Sequence, residues 1–180
     1  LSELGIILNK KKLLKLAKRA TYFTINQQNS DGSIYYYGKD SSEIAPTHLD
    51  IYHSGFEIRS LIKLYENIQE KRIKKAFLKY LVFFKKQYIL EDTIPKLAPK
   101  VKDYSIDIVD VHGLSEAILT FNQSIKYIPE NKILLKSVLS WGIQNMQTKK
   151  GWFIFRWVRE NSKINKVEFP FMRWGQAWMM

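Results

Sequence analysis

A period of sixty residues is the feature of this sequence that most restricts its fold. Gln27, Gln87 and Gln147 follow one another at this interval. Apolar positions repeat with the same spacing: Leu13, Ile73 and Ile133, and further along Phe23, Phe83 and Ile143. Segments 10–37, 70–97 and 130–157 are therefore copies of one unit. A unit of this length predicts a solenoid or a closed ring built from pairs of helices.

Each copy is predicted to contain an amphipathic helix that ends in a turn. In the first copy, Leu13, Ala17 and Phe23 belong to an apolar stripe with helical spacing, and the turn-forming segment 29–32 follows it. We expect the three glutamines to tie each helix end to its turn. Aromatic or apolar segments after the turns are expected to be extended loops or short strands: 34–37, 94 and 152–155.

Second helices are predicted between the copies. Two are complete, over 52–68 and 111–127, and partial ones occupy the chain ends at 1–8 and 171–180. Glycines near the starts of these second helices would let neighbouring helices approach closely: Gly55, Gly113 and Gly175.

The composition excludes several classes of function. There is no Cys, which rules out disulfides, a thiolate nucleophile and Cys-ligated zinc. No apolar run is long enough for a transmembrane helix and no signal peptide is visible, so we expect a cytoplasmic protein. The net charge of +12 suits phosphates, anionic polysaccharide or peripheral contact with an anionic membrane. Helical spacing places most lysines on outer faces, and no recognition helix or RNA-binding signature indicates nucleic acid.

Three segments resemble known families. Segment 27–33, Gln-Gln-Asn-Ser-Asp-Gly-Ser, resembles the Gln-Asp-Gly turn of α/α toroids such as terpenoid cyclases, prenyltransferases and six-hairpin glycosidases. Segments 48–56 and 169–178 resemble a bacterial and archaeal six-hairpin family that accompanies polysaccharide biosynthesis. That family is similar to the C-terminal region of glucuronyl C5-epimerases and to unsaturated glucuronyl hydrolases.

The resemblance implies an all-α fold of helical hairpin repeats. We expect one domain over 1–180, with repeat units of about 10–69, 70–129 and 130–180. It would form a partial (α/α)6 toroid of about three hairpins, with short extended segments in its loops. A complete toroid needs about six hairpins, and the chain opens on Leu1 rather than Met. We therefore expect the C-terminal half of a longer protein, or self-association if the half-toroid is the whole chain.

Candidate site residues gather near the starts of the second helices, where toroids place their active sites. The catalytic candidates are acid/base groups: Asp50, Asp110, His53 and His112. The substrate-binding candidates are polar or aromatic neighbours: His48, Tyr52, Glu57, Glu116, Arg173, Trp174 and Gln176. Aromatic residues elsewhere, among them Tyr36 and Trp178, could offer faces for stacking against a sugar ring.

Structural roles compete with each of these assignments. Asp50 and Asp110 precede helices and could be N-caps. His53 and Glu57 are four residues apart, as are His112 and Glu116, so each could be a buried hydrogen-bonded pair. The ligand set is poor for a metal, and neither a metal nor an organic cofactor is expected.

Three functions follow from these observations. The leading one is a carbohydrate-active or polysaccharide-biosynthesis protein that acts on a glycan, perhaps one containing uronate, by acid/base chemistry of a glycosidase, lyase or epimerase type. The second is a non-catalytic repeat module that binds a glycan or a biosynthetic partner. An isoprenoid cyclase or prenyltransferase relative is disfavoured, because segment 106–110 lacks the Asp-x-Asp-Asp spacing and there are no Cys ligands.

Overall fold

The computed structural model describes residues 1–36, 38, 49–91, 93–98 and 106–180, and for residues 173 and 174 it describes the backbone. Its helices are α1 (Ser2–Ile7), α2 (Lys11–Asn26), α3 (Ile51–Ile68), α4 (Lys71–Tyr88), α5 (Val111–Ser124), α6 (Asn131–Met146) and α7 (Ala177–Met179), the last preceded by a π-helical turn (Met172–Gln176). Its strands are β1 (Ile89–Leu90), β2 (Ile94–Pro95), β3 (Ile106–Asp110), β4 (Arg156–Glu160) and β5 (Lys163–Val167). The predicted succession of helical hairpins is confirmed.

The helices form two layers. Helices α3, α5 and α7 follow one another in the inner layer, while α4 packs on α3 and α6 packs on α5 in the outer layer. Large aromatic side chains fill the space between the layers, and five of those described are almost completely buried: Phe77, Tyr80, Phe84, Tyr88 and Phe121. Burial of each such ring stabilises the fold by roughly 1.5–3 kcal/mol relative to an exposed ring.

Three glycines bring the inner helices together. A Cβ atom on Gly55 would lie 2.6 Å from Glu116 of α5, and one on Gly113 would lie 2.6 Å from Ile51 of α3. In the C-terminal π-helical turn, a Cβ atom on Gly175 would lie 2.7 Å from a side-chain carbon of Val111. These distances are too short for a side chain, so the predicted role of the glycines in close helix approach is confirmed.

A three-stranded antiparallel sheet was not predicted. Strand β3 pairs with β4, and β4 pairs with β5 across a turn in which Asn161 and Ser162 have positive φ angles of 45° and 69°. Trp157 of β4 is buried and packs edge-on against Trp141 of α6, with ring centroids 5.2 Å apart. The extended conformation expected at residue 94 is confirmed in β2, and Phe153 forms an isolated bridge with Gln147.

The turns after the outer helices repeat with a one-residue offset from the expected register. Gln147 ties α6 to the next turn as predicted, because its Nε2 donates to the Gly151 carbonyl at 3.0 Å. In the first copy the matching bond comes from Gln28, whose Nε2 donates to the Gly32 carbonyl at 3.0 Å. Gln87 lies within the last turn of α4. Gln28 rather than Gln27 is thus the structural equivalent of Gln147.

No helix in the described ranges has both the length and the apolar character needed to cross a membrane.

Candidate functional site

The first turns of α3 and α5 border an open cleft of about 610 Å³. Polar residues of the two turns, His53, Asp110 and His112, share its wall with aromatic side chains. The aromatic members are Tyr52, Phe56, Phe155, Phe171 and Trp178. Its volume lies within the usual range of small-molecule sites, roughly 300–1,000 Å³. The structure therefore brings five of the eleven candidate residues together in one cleft at the end of the inner layer.

Asp50 caps α3 and orients a histidine. Its Oδ1 accepts the backbone N–H of His53 at 2.7 Å, which satisfies an otherwise unpaired donor of the first helical turn. Its Oδ2 lies 2.6 Å from His53 Nδ1. When Nδ1 carries the proton in this contact, the second ring nitrogen, Nε2, is left as the basic atom of the imidazole. Both the structural and the chemical interpretation of Asp50 thus fit the geometry.

Asp110 occupies the matching N-cap position of α5. Its Oδ1 accepts the backbone N–H of Gly113 at 3.0 Å, and its side chain is buried. Oδ2 lies 3.8 Å from Nε of Arg156, whose guanidinium also lies over the Phe155 ring at 4.6 Å. The buried Nε of Arg156 has no hydrogen-bond partner among the described residues. A cationic group therefore stands beside the acid at the edge of the cleft.

Stacked rings form the floor between the two helix starts. Tyr52 of α3 and His112 of α5 are nearly parallel, with ring centroids 4.8 Å apart and an interplanar angle of 13°. Trp178 lies on His112 at 5.2 Å. Burial lowers the pKa of His112 below its usual value, so this imidazole is held neutral at physiological pH. The same effect raises the pKa of the Tyr52 hydroxyl.

The two His–Glu pairs are not equivalent, contrary to the expected repeat. Counted from the capping aspartate, His53 is the third residue of its helix and His112 is the second. One residue rotates a side chain by about 100° around a helix. Tyr52, not His53, is therefore the counterpart of His112, and the two glutamates face different neighbours.

Glu57 points into smaller recesses beside the main cleft. Its Oε2 accepts a hydrogen bond from the buried Tyr80 hydroxyl at 2.8 Å. Burial raises its pKa to about 7, against the opposing effects of this hydrogen bond and of the nearby His53. A carboxyl group that changes charge near neutral pH is suited to proton transfer.

Glu116 is engaged by an arginine of the neighbouring helix. Arg59 Nε and a terminal nitrogen donate to its two carboxylate oxygens at 2.5 and 2.9 Å, and Glu116 is 1% exposed. The pair is bidentate and links α3 to α5. Although Glu116 borders the cleft, its carboxylate already has a partner.

Of the remaining candidates, Gln176 has a structural role, and the side chains of the others lie outside the part of the chain that the structure describes. Gln176 is buried and exchanges two hydrogen bonds with the backbone of Phe153, at 2.6 and 2.8 Å. It fastens the C-terminal turn to the segment before β4. His48 lies outside the described residues, as do the side chains of Arg173 and Trp174. Among the described residues, no cluster of three or more His, Asp or Glu side chains could hold a metal.

Phe155 and Arg156, which the sheet places beside the cleft, were not predicted as site residues. Phe155 reaches the cleft because its carbonyl accepts the N–H of Val111 at 3.1 Å, while Arg156 pairs with Asp110 at the end of β3 and β4. The alternating segment 156–160 and the following Asn-Ser turn are the local signal for these strands. Nothing local indicates that β4 pairs with a strand fifty residues earlier.

No protein-family model matches the sequence, and no curated protein matches it. Solved structures do resemble the fold. A cellobiose 2-epimerase from Bacillus thermoamylovorans has a TM-score of 0.70 and 12% identity over 91% of this chain and 46% of its own. An α-amylase from Clostridium perfringens has a TM-score of 0.65 and 11% identity over 91% of this chain and 46% of its own.

A sugar epimerase from a ruminal bacterium has a TM-score of 0.60 and 11% identity, over 83% of this chain and 41% of its own. The chain thus spans less than half the length of each of these proteins. They are α/α toroids of the six-hairpin glycosidase type. The two-layered hairpin array of this chain is accordingly the fold of part of an α/α toroid, as the resemblance implied.

Proposed function

We propose that this chain belongs to a carbohydrate-acting protein and that the cleft between the first turns of α3 and α5 binds a sugar. Sugar rings present apolar faces and polar edges, which suits a wall that combines aromatic rings with His and Asp side chains. The names of the three similar structures, two epimerases and an α-amylase, support the same substrate class.

The observation that carries an acid/base role is the contact of 2.6 Å between Asp50 and His53 Nδ1 at the cleft. Asp50 holds the imidazole in one orientation, with Nδ1 facing its carboxylate. His53 then accepts a proton from a bound glycan through its other ring nitrogen. His112, which is neutral at physiological pH, serves as a hydrogen-bonding partner for hydroxyl groups.

The test compares turnover in matched variants. The wild type, Asp50→Asn and Asp110→Asn are each incubated with a panel of glycans. The release of new reducing ends and the epimerisation of sugars are measured. Asparagine is as good an N-cap as aspartate, so helices α3 and α5 should remain folded. We expect at least a hundredfold loss of turnover in Asp50→Asn, in line with the usual contribution of general acid–base catalysis of about 10²–10⁴. A smaller loss is expected in Asp110→Asn.

A non-catalytic glycan-binding module is the second candidate. It is favoured by the structural engagement of Glu116 with Arg59 and of Gln176 with Phe153. Binding that persists in both aspartate variants, with no turnover by the wild type on any glycan, would establish the module and exclude the enzyme.

We further propose that the glycan carries uronate groups and that the protein works in cytoplasmic polysaccharide biosynthesis. The net charge of +12 and the Arg156 guanidinium beside the cleft support an acidic ligand.

If the 180 residues act alone, we propose self-association through the N-terminal edge. Exposed apolar side chains of α1 support this, with Leu4 53% and Ile7 76% exposed.

A further inference from the structure

Two smaller recesses continue from the main cleft along α3. The first has a volume of about 100 Å³ and shares His53 with the cleft. The second, of about 230 Å³, shares Tyr36 and Glu57 with the first. The shared side chains place the three spaces side by side. Together they are called the groove, which extends from Trp178 at one end to Phe23 of α2 at the other.

The far recess repeats the chemistry of the main cleft. Phe23 and Tyr36 offer aromatic faces and are 70% and 52% exposed. Thr24, Gln27 and Glu57 add polar groups to the same wall. Tyr36 also contacts His53 edge to face, with ring centroids 4.9 Å apart, and so joins this wall to the Asp50–His53 pair.

Phe23 is far more exposed than the phenylalanine sixty residues later in the sequence. Phe83 is 5% exposed and packs against Tyr80 and Tyr88, although the one-residue offset of the first copy means that the two rings are not exact structural equivalents. The Phe23 ring is therefore not needed for the hydrophobic core of the first copy. It is available to a ligand in the far recess.

We infer that the groove binds an oligosaccharide rather than a single sugar, with a second sugar-stacking subsite formed by Phe23 and Tyr36. This inference rests on the proposed carbohydrate-acting function. One sugar occupies the main cleft, and the narrow recess beside Glu57 accommodates a small group of the connecting linkage. A further ring of the same glycan lies against Phe23.

Calorimetric titration with ladders of increasing length tests the subsite. The ladders are glucose-based and glucuronate-based oligosaccharides of one to six units. We expect affinity to rise as the chain grows long enough to reach the far recess, and then to level off. Phe23→Ala should weaken binding of the long members about fivefold, as expected for one aromatic contact, and leave the shortest bound members unchanged. Ile133→Ala, at an equally exposed position on α6, is the control and should change neither.

Each other outcome contradicts the inference in a distinguishable way. Equal affinity for short and long members, or an equal loss at every length in Phe23→Ala, would remove the second subsite and leave the proposed function standing. Failure of every ladder member to bind the wild type would overturn both. A change in self-association of Phe23→Ala by sedimentation, with binding unaltered, would assign Phe23 to a protein contact instead.

Discussion

At the scale of single residues, one carboxylate both caps a helix and orients an imidazole. Asp50 gives one oxygen to the backbone of α3 and the other to the imidazole of His53. The imidazole orientation is thereby fixed by the same residue that begins the helix. The start of α3 therefore positions the Asp50–His53 pair on which the proposed acid/base role depends.

Glu57 makes stability depend on pH. Because burial raises its folded-state pKa from 4.5 to about 7, protonation of Glu57 favours the folded state. That contribution is complete below about pH 4.5 and is lost as the pH rises through about 7. The shift corresponds to about 3 kcal/mol at most. We expect urea unfolding to show this loss between about pH 5 and about pH 8 in the wild type, but not in Glu57→Gln.

Glu168→Gln serves as the control for this measurement, because Glu168 is exposed and should leave the pH dependence unchanged. Parallel pH profiles for the wild type and Glu57→Gln would show that the Glu57 carboxyl group is not the source of the effect.

At the scale of helices, the close contact between α3 and α5 depends on a glycine, Gly55, which has no side chain. Gly55 of α3 lies against Glu116 of α5. Arg59, one turn further along α3, forms an ion pair with Glu116 and holds it in place. Close approach and a buried ion pair are thus combined in one contact. The ion pair favours this arrangement of the two helices because any shift would leave a buried charge unpaired.

Gly55→Ala should destabilise the protein by about 1–3 kcal/mol, because the added methyl group overpacks the contact with Glu116 and Thr120. This loss outweighs the gain of about 1 kcal/mol that alanine brings to a helix. Chemical denaturation measures the difference. Ser60→Ala, exposed on the same helix, is expected to be neutral or slightly stabilising. A Gly55→Ala protein as stable as the wild type would show that the helices are not in this close contact.

Local sequence information was sufficient for the helices and for the convergence of polar helix starts. The apolar stripe around Phe77 and the caps at Asp50 and Asp110 act within a few residues, so they are visible in the chain itself. The sheet is different, since residues 111–155, which include α5 and α6, separate β3 from β4. The non-equivalence of Glu57 and Glu116 also escaped prediction, because a one-residue offset changes a helical face without changing the i, i+4 spacing.

At the scale of the whole molecule, positions sixty residues apart in the sequence differ in exposure. Phe83 of the central repeat is buried, while Phe23 of the first repeat is 70% exposed. The first turns of α3 and α5 and Trp178 of α7 nevertheless line the same cleft. The proposed sugar site therefore belongs to this shared surface rather than to any one hairpin.

Heteronuclear NMR of the protein with added glycan can show whether a sugar binds at the first turns of α3 and α5. Addition of the tightest-binding oligosaccharide should shift the amide signals of His53 and Gly113 and the indole signal of Trp178, while signals of the exposed face of α4 stay in place. Shifts confined to the outer helices, or no shift with any glycan, would contradict a sugar site at the inner helix starts.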